Sequence, residues 1–328
     1  MFAAVAGKDS HRWWCWVFVG PDTTVFTIAP SRSTKVLAEH LGIDVDTDTD
    51  TDTDTLTLPD ALPGGRQVLL SCDFYSVYQS MGRVDGVDTL WCWAHIRRYV
   101  IRAADANPEL GAWAGGWIAR IGALYAAHTA ITAAAAGSTE HTTATVQFCA
   151  ALNTFDAERT AQISLAALLH PTAAKVLATL DREWDGLARH REYPELPLDN
   201  NTAERALRGP VVGRKNYSGS GSVVSAELAS RVFTITATAA RAGLNPLAYL
   251  TAYLHACALA GGTAPTGQAL TRFLPWAAGP DDRTAWAHGP PPDTDTTGSE
   301  PDTTDNANAD NGNDTTDAGG GPRAGPPP

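Results

Sequence analysis

Two acidic residues stand where a fold can turn a carboxylate into a metal ligand. Asp73 ends the apolar run QVLLSCD (67–73), and a carboxylate at the C-terminal end of a buried strand is fixed by the strand while the strand end opens to solvent. Glu204 lies in DNNTAERALR (199–208), at the edge of a helix whose packed stripe would be Ala203, Ala206 and Leu207. Arg208 sits beside it and Arg205 points farther away. Each acid has a plain structural alternative. Asp73 can cap a helix beginning at Phe74 or Tyr75. Asp199, Asn200 or Asn201 can cap the helix of Glu204, and Asn201 with Glu204 three residues on has the form of a capping box, Asn replacing the usual Ser or Thr. Arg205, Arg208, Arg214 and Lys215 put four positive charges within eleven residues, just ahead of the flexible string YSGSGS. His95, Arg97 and Arg98 in CWAHIRR form the other dense basic site in a chain with 24 Lys and Arg. Guanidinium groups beside a Gly/Ser loop suit phosphate contact, with a solvated helix face as the alternative. Cys92 and His95 have a C-x2-H spacing, but a structural metal site needs a second pair.

The elements that must position these residues are legible in the hydrophobic pattern. RWWCWVFVG (12–20) and TTVFTIAP (23–30) predict a hairpin turning at Pro21-Asp22. SRSTKVLAEHLG (31–42) predicts a helix with Val36, Leu37 and Leu41 on one side, Ser31 or Ser33 as cap and Gly42 as stop. QVLLSCD reads as a buried central strand, FYSVYQSM as a helix, and DTLWCW (88–93) as a strand leading into AHIRRYVIRAA. Residues 105–196 are almost wholly helical in pattern and read as a helical insertion. VFTITAT has strand propensity, yet Val224, Leu228, Val232, Ile235 and Ala239 recur at helical intervals and Gly243 sits where a helix would stop, so a helix is expected. The tryptophans Trp13, Trp14, Trp16, Trp91 and Trp93 read as sheet core rather than base-stacking platforms. The expected plan is an α/β unit: 1–104 as the first part of its core with an acidic loop at 44–65, then 105–196, a C-terminal helix region at 197–260, and a tail at 279–328.

Charge divides the chain further. The 328 residues carry a formal net charge of −12. The Thr-Asp repeat at 44–54 holds six Asp and no base, and 279–328 holds ten acids against Arg283 and Arg323. Those segments account for −14, so the rest is +2 and is free to meet nucleic acid. Neither acidic segment has apolar side chains enough to offset the entropy of ordering, so both are expected to be solvated and without chemistry. Five scattered cysteines without a CxxC pair argue against a disulfide framework. With no 20-residue apolar run and no signal-peptide core, the expectation is a soluble cytoplasmic protein with no membrane partner.

PSRSTKVLAEHLG, LLSCDFYSVY, CWAHIRRYV and DNNTAERALRGPVVGRKNYSGSGS, in this order and followed by a long helix ending in NPLAYL, resemble the transposases of the insertion sequence 66 family. The resemblance spans roughly residues 3–255. It implies a ribonuclease-H-like core, a mixed sheet flanked by helices, carrying an Asp-Asp-Glu triad. By it, Asp73 and Glu204 are the second and third acids. They would hold two divalent ions, Mg²⁺ or Mn²⁺, for phosphoryl transfer at transposon ends. Asn200 and Asn201 would position the helix. His95, Arg97, Arg98, Arg205, Arg208, Arg214 and Lys215 would meet DNA, the terminal repeats being the expected partner. A homo-oligomer or a complex with full-length transposase is a further expectation.

The resemblance also places the first acid of the triad in an Asp-Glu-Thr motif upstream of a segment like that at Met1, while Asp9 and Asp22 fall at turn positions. The expectation is therefore a C-terminal catalytic fragment that is inactive alone. Its alternatives are a non-enzymatic DNA- or transposase-binding inhibitor and a metal nuclease with a rebuilt site.

Overall fold

A computed structural model describes residues 13–43, 58–217 and 219–287. The Thr-Asp repeat, Asp9 and the tail from residue 288 lie outside them. The hairpin expected at the start is formed by β1 (Trp14–Val19) and β2 (Thr24–Ala29), antiparallel with Trp14 opposite Ala29 and Val19 opposite Thr24. Helix α1 (Thr34–His40) follows. Its cap position is Ser33, whose hydroxyl meets that of Ser31 at 2.7 Å instead of a helix amide. Gly42 ends it at φ +68°, a conformation glycine takes without strain. Strand β3 (Val68–Cys72), helix α2 (Ser76–Met81), strand β4 (Val87–Trp91) and helix α3 (Trp93–Ala106) make the crossover unit. β3 and β4 are parallel, with Cys72 opposite Trp91.

Among the described residues the strands make two separate two-stranded sheets, where one mixed sheet was expected. QVLLSCD is correspondingly not a buried central strand. It pairs with β4 on one side; Val68 and Leu70 are half-buried, Leu69 (42%) and Ser71 are exposed, and Cys72 at its end is buried. The outer edge of β2 is satisfied by a helix instead of a strand. Thr234 and Thr238, one turn apart in a later helix, face the edge: their hydroxyl oxygens accept from the amides of Phe26 (2.9 Å) and Thr24 (3.1 Å), and their hydroxyls lie 3.5 and 3.2 Å from the carbonyls of the same two residues. Otherwise orphaned backbone groups at a strand edge thereby find partners.

Residues 108–191 contain only helical elements. Helices α4 (Gly111–Ala133) and α5 (Thr139–Ser164) pack as a long pair, and α6 (Pro171–Arg182) and the short α7 (Trp184–Ala188) return the chain to β4. Trp93, Trp117, Phe148 and Phe155 are fully buried where α3 meets these helices. Trp184 stacks on Phe155 at 5.9 Å, beneath the Arg159 guanidinium, which also bonds Asp156 and Asp181. Then come α8 (Asn201–Tyr217), α9 (Val223–Arg241) and α10 (Pro246–Leu259). VFTITAT is thus helical, as its spacing predicted. Two short helices, α11 (Gly267–Thr271) and α12 (Pro280–Ala285), complete the described chain. Trp286 is buried with Tyr249 and Phe273, so packed structure extends past Gly279, where composition alone began the tail. Among the tryptophans read as core, Trp13, Trp16, Trp91 and Trp93 are buried and Trp14 is half-buried.

Candidate functional site

Parallel pairing brings two chain turns side by side. Asp73 follows the last residue of β3, and Cys92 follows the last residue of β4, with the Cys92 amide donating to the Cys72 carbonyl at 3.0 Å. Asp73 is half-buried, and its Oδ1 accepts the Tyr75 amide at 3.0 Å. The turn therefore orients the carboxylate through one of its two oxygens. Cys92 caps α3, which places His95 in the first helical turn. Burial pushes the Cys92 thiol up to about 11, so it stays protonated and is not a thiolate ligand at neutral pH.

Glu204 is delivered to this place by a set of bonds that fix the start of α8. The Leu198 carbonyl accepts the Trp93 amide at 2.9 Å, and the Asn200 amide lies 3.5 Å from Cys92 Sγ. Asp199 accepts the Asn201 amide at 3.1 Å through Oδ1 and the Tyr125 hydroxyl at 3.2 Å through Oδ2. The Asn200 carbonyl then accepts the Glu204 amide at 3.1 Å. Of the three expected caps it is thus Asp199 that closes the helix start, in place of an Asn201–Glu204 reciprocal cap. Pro210 is buried within the helix, while Ala203, Ala206 and Leu207, expected to be its buried stripe, are half-buried.

The Glu204 side chain turns to α3. Oε1 is 3.6 Å from His95 Nε2, and Oε2 is 3.7 Å from an Arg98 guanidinium nitrogen. Burial, and next the Arg98 charge, hold His95 below its ordinary pKa, while Asp73 and Glu204 pull the other way. A ring lowered in this way is neutral at pH 7. Its approach to Glu204 is then a polar contact rather than an ion pair, and Arg98 supplies the positive charge. Both Asp73 and Glu204 act on the one imidazole, whose Nδ1 is buried without a partner, as is Asn200 Oδ1. Phe74 closes the ring's side at 6.2 Å.

His95 and Arg98, expected to meet DNA, thus lie against Glu204. Arg97, Arg205, Arg208 and Lys215 are exposed, Arg214 is half-buried, and Arg205 bonds Thr202 at 3.2 Å. Sequence reasoning had Asp199 among the possible caps of α8 but missed Tyr125 and Cys92 as groups that hold the helix start; Tyr125 is 74 residues away from its partner.

A model of the Transposase IS66 family matches residues 2–228. The chain belongs to that family. Asp73, His95, Arg98 and Glu204 all fall within the matched stretch. The chain is also 32% identical over 81 residues to Uncharacterized protein y4hP of Sinorhizobium fredii (strain NBRC 101917 / NGR234). That match covers 24% of this chain and 15% of the relative. No solved structure matches it.

Transposases of this family are of the Asp-Asp-Glu type, which generally needs a divalent metal. In kind, Asp73 and Glu204 fit such an ion, since both offer hard carboxylate oxygens. In number they fall short: among the described residues no group of three His, Cys, Asp or Glu is gathered that could hold a metal. Magnesium is commonly held by one or two carboxylates together with water and substrate phosphate, so two are a usable part of a site. Among the described residues no helix is long and apolar enough to cross a membrane.

Proposed function

We propose that this chain carries the second and third acids of a transposase site for DNA strand cleavage and transfer, Asp73 and Glu204, on the parallel β3–β4 portion of a ribonuclease-H-like core. The observation that supports it most is that Glu204 from the start of α8 stands 3.6 Å from His95 while the Asp73 charge, from the end of β3 and 131 positions away in the sequence, acts on the same ring. Carboxylates at the C-terminal ends of parallel strands stand where α/β sheets place their chemistry. A divalent ion bound there would polarise a phosphoryl oxygen and favour ionisation of the attacking hydroxyl. The chain's own residues orient and release. The Tyr75 amide fixes Asp73, and Arg98 holds Glu204 until a cation displaces it, which frees a guanidinium for a DNA phosphate. Arg97, Arg205, Arg208, Arg214 and Lys215 extend the positive surface along the DNA backbone.

Two carboxylates leave the ligand set incomplete, so strand cleavage awaits a third carboxylate from outside the described residues or from another polypeptide. The test uses the purified chain, DNA carrying the terminal repeats, and Mn²⁺ followed by electron paramagnetic resonance. Mn²⁺ binding should be lost in Asp73→Asn and in Glu204→Gln and kept in Glu227→Gln. Equal binding by all four proteins would remove the carboxylates from the site. Mn²⁺-dependent cutting by the chain alone, abolished by Asp73→Ala, would show that the set is complete. Terminal-repeat DNA should also be retained over random DNA at moderate salt.

A further inference from the structure

Helix α9 has a finished inner face and an unfinished outer one. Inward, Ala226 is buried against Trp13 and Ile28, Phe233 meets Phe26 at 5.8 Å, and Thr234 and Thr238 bond the β2 edge. On the opposite side Val224, Leu228, Val232 and Ile235 are 75, 62, 42 and 38% exposed. At about 100° per residue these four fall within about 80° of one another, a continuous aliphatic stripe about 16 Å long. Ala239 continues the stripe but is fully buried beneath α10. Glu227 and Arg231 flank it on one side, exposed and 3.9 Å apart.

We propose that this outer face of α9 is a two-fold interface on which a second copy of the chain docks, helix against helix and antiparallel. The stripe is its own complement. Pairing about an axis between Ala229 and Ser230 sets Val224 opposite Ile235 of the second copy and brings Leu228 and Val232 within one residue, about 1.5 Å, of each other's level. The same axis brings Glu227 within one residue of the level of Arg231. In an antiparallel pair, flanking positions on the same side of each helix face one another, so both acid–base contacts form at once. Parallel pairing would instead place the two Glu227–Arg231 flanks on opposite sides of the seam, so neither acid would meet the other copy's base. The register also clears α10. Residue 220 of the second copy, ahead of its helix, falls opposite Ala239, where α10 already covers the stripe. The chain's own remaining segments are poor covers: residues 288–328 contain no Val, Ile, Leu, Met, Phe, Trp or Tyr, and 44–57 contain only Val45 and Leu56. This interface is independent of the metal-site reading.

Sedimentation equilibrium of the full chain over a range of concentrations tests it. The wild type should dimerise, and Leu228→Glu, at an exposed position that leaves the fold intact by circular dichroism, should weaken the dimer about tenfold or more. Glu227→Arg and Arg231→Glu should each weaken it, and the two together should restore it. A monomeric wild type, or a dimer indifferent to Leu228→Glu, would overturn the interface. Failure of the double charge swap to restore association would overturn the antiparallel register. Dimerisation appearing only after removal of residues 1–12, which include Met1, Phe2 and Val5, would show the stripe to be covered from within and would likewise overturn it.

Discussion

Gly186 should be intolerant of even one methyl group. It lies in α7 against the Trp91 indole, and a Cβ built there would stand 2.5 Å from Nε1 and 2.9 Å from Cγ. Ordinary van der Waals contact begins near 3.4 Å, so the helix or the ring must move by nearly 1 Å. The ring has little room, since Trp91 is buried and set edge-on to Phe74 at 6.0 Å. Overpacking of this kind costs roughly 1–3 kcal/mol. Alanine in place of glycine within a helix returns about 1 kcal/mol in propensity, so Gly186→Ala should be destabilising by up to about 2 kcal/mol, or several degrees in Tm. Gly122 in α4 is the control: nothing lies within 4 Å of its built Cβ. Gly122→Ala should therefore stabilise by roughly 0.5–1 kcal/mol. Urea unfolding of both variants, and of Gly186→Ala combined with Trp91→Leu, measures the clash. Once Trp91→Leu has removed the indole, the penalty of Gly186→Ala should largely vanish, a coupling above about 0.5 kcal/mol. Matching shifts for Gly186→Ala and Gly122→Ala, or no coupling to Trp91, would refute the packing of α7 on the strand that leads to His95.

Removing the hydroxyls of Thr234 or Thr238 as Thr→Val keeps the helix and the volume but strips partners from the β2 amides and carbonyls. Each should cost roughly 1–3 kcal/mol, and hydrogen exchange should quicken at the Phe26 or Thr24 amide respectively. His190 is fully buried, and its Nε2–H donates to the Trp91 carbonyl at 3.1 Å, so a second proton on Nδ1 would have no acceptor. Burial, together with His128, lowers its pKa to about 4, against partial compensation from the Trp91 carbonyl and Asp199. A lowered histidine binds its proton in the unfolded chain first, so its contribution is complete above about pH 6.5 and is lost as pH falls toward 4. The loss by pH 5 should be on the order of 2 kcal/mol, read as the difference in urea midpoint between pH 7 and pH 5. His190→Gln should flatten that difference, and an unchanged difference would clear His190 of it.

What the sequence disclosed and what it withheld divide along a physical line. Local periodicity was enough for the hairpin, for α1 with its stop at Gly42, and for the decision that VFTITAT is helical, because each depends on neighbours within one or two turns. Pattern alone did not reveal the reason for the threonines in that helix. Thr234 and Thr238 serve backbone groups more than 200 positions earlier in the chain, and no local rule anticipates such a partner. QVLLSCD misled for the converse reason, since an apolar run reports that a strand forms and leaves open how many strands flank it. The same distinction governs the site. The positions of Asp73 and Glu204 at element ends were legible one by one. Their shared effect on one ring was not: His95 read as one more basic residue for DNA, whereas desolvation and Arg98 hold its pKa down and it lies against Glu204. Arg98 likewise has two uses that its sequence context cannot rank, phosphate or Glu204, and in the protein without DNA it takes the carboxylate. A charged residue beside a carboxylate is therefore better read as that carboxylate's partner first and as a DNA contact second. The ordering is physical, because a guanidinium already holding the acid must be released before it can hold a phosphate.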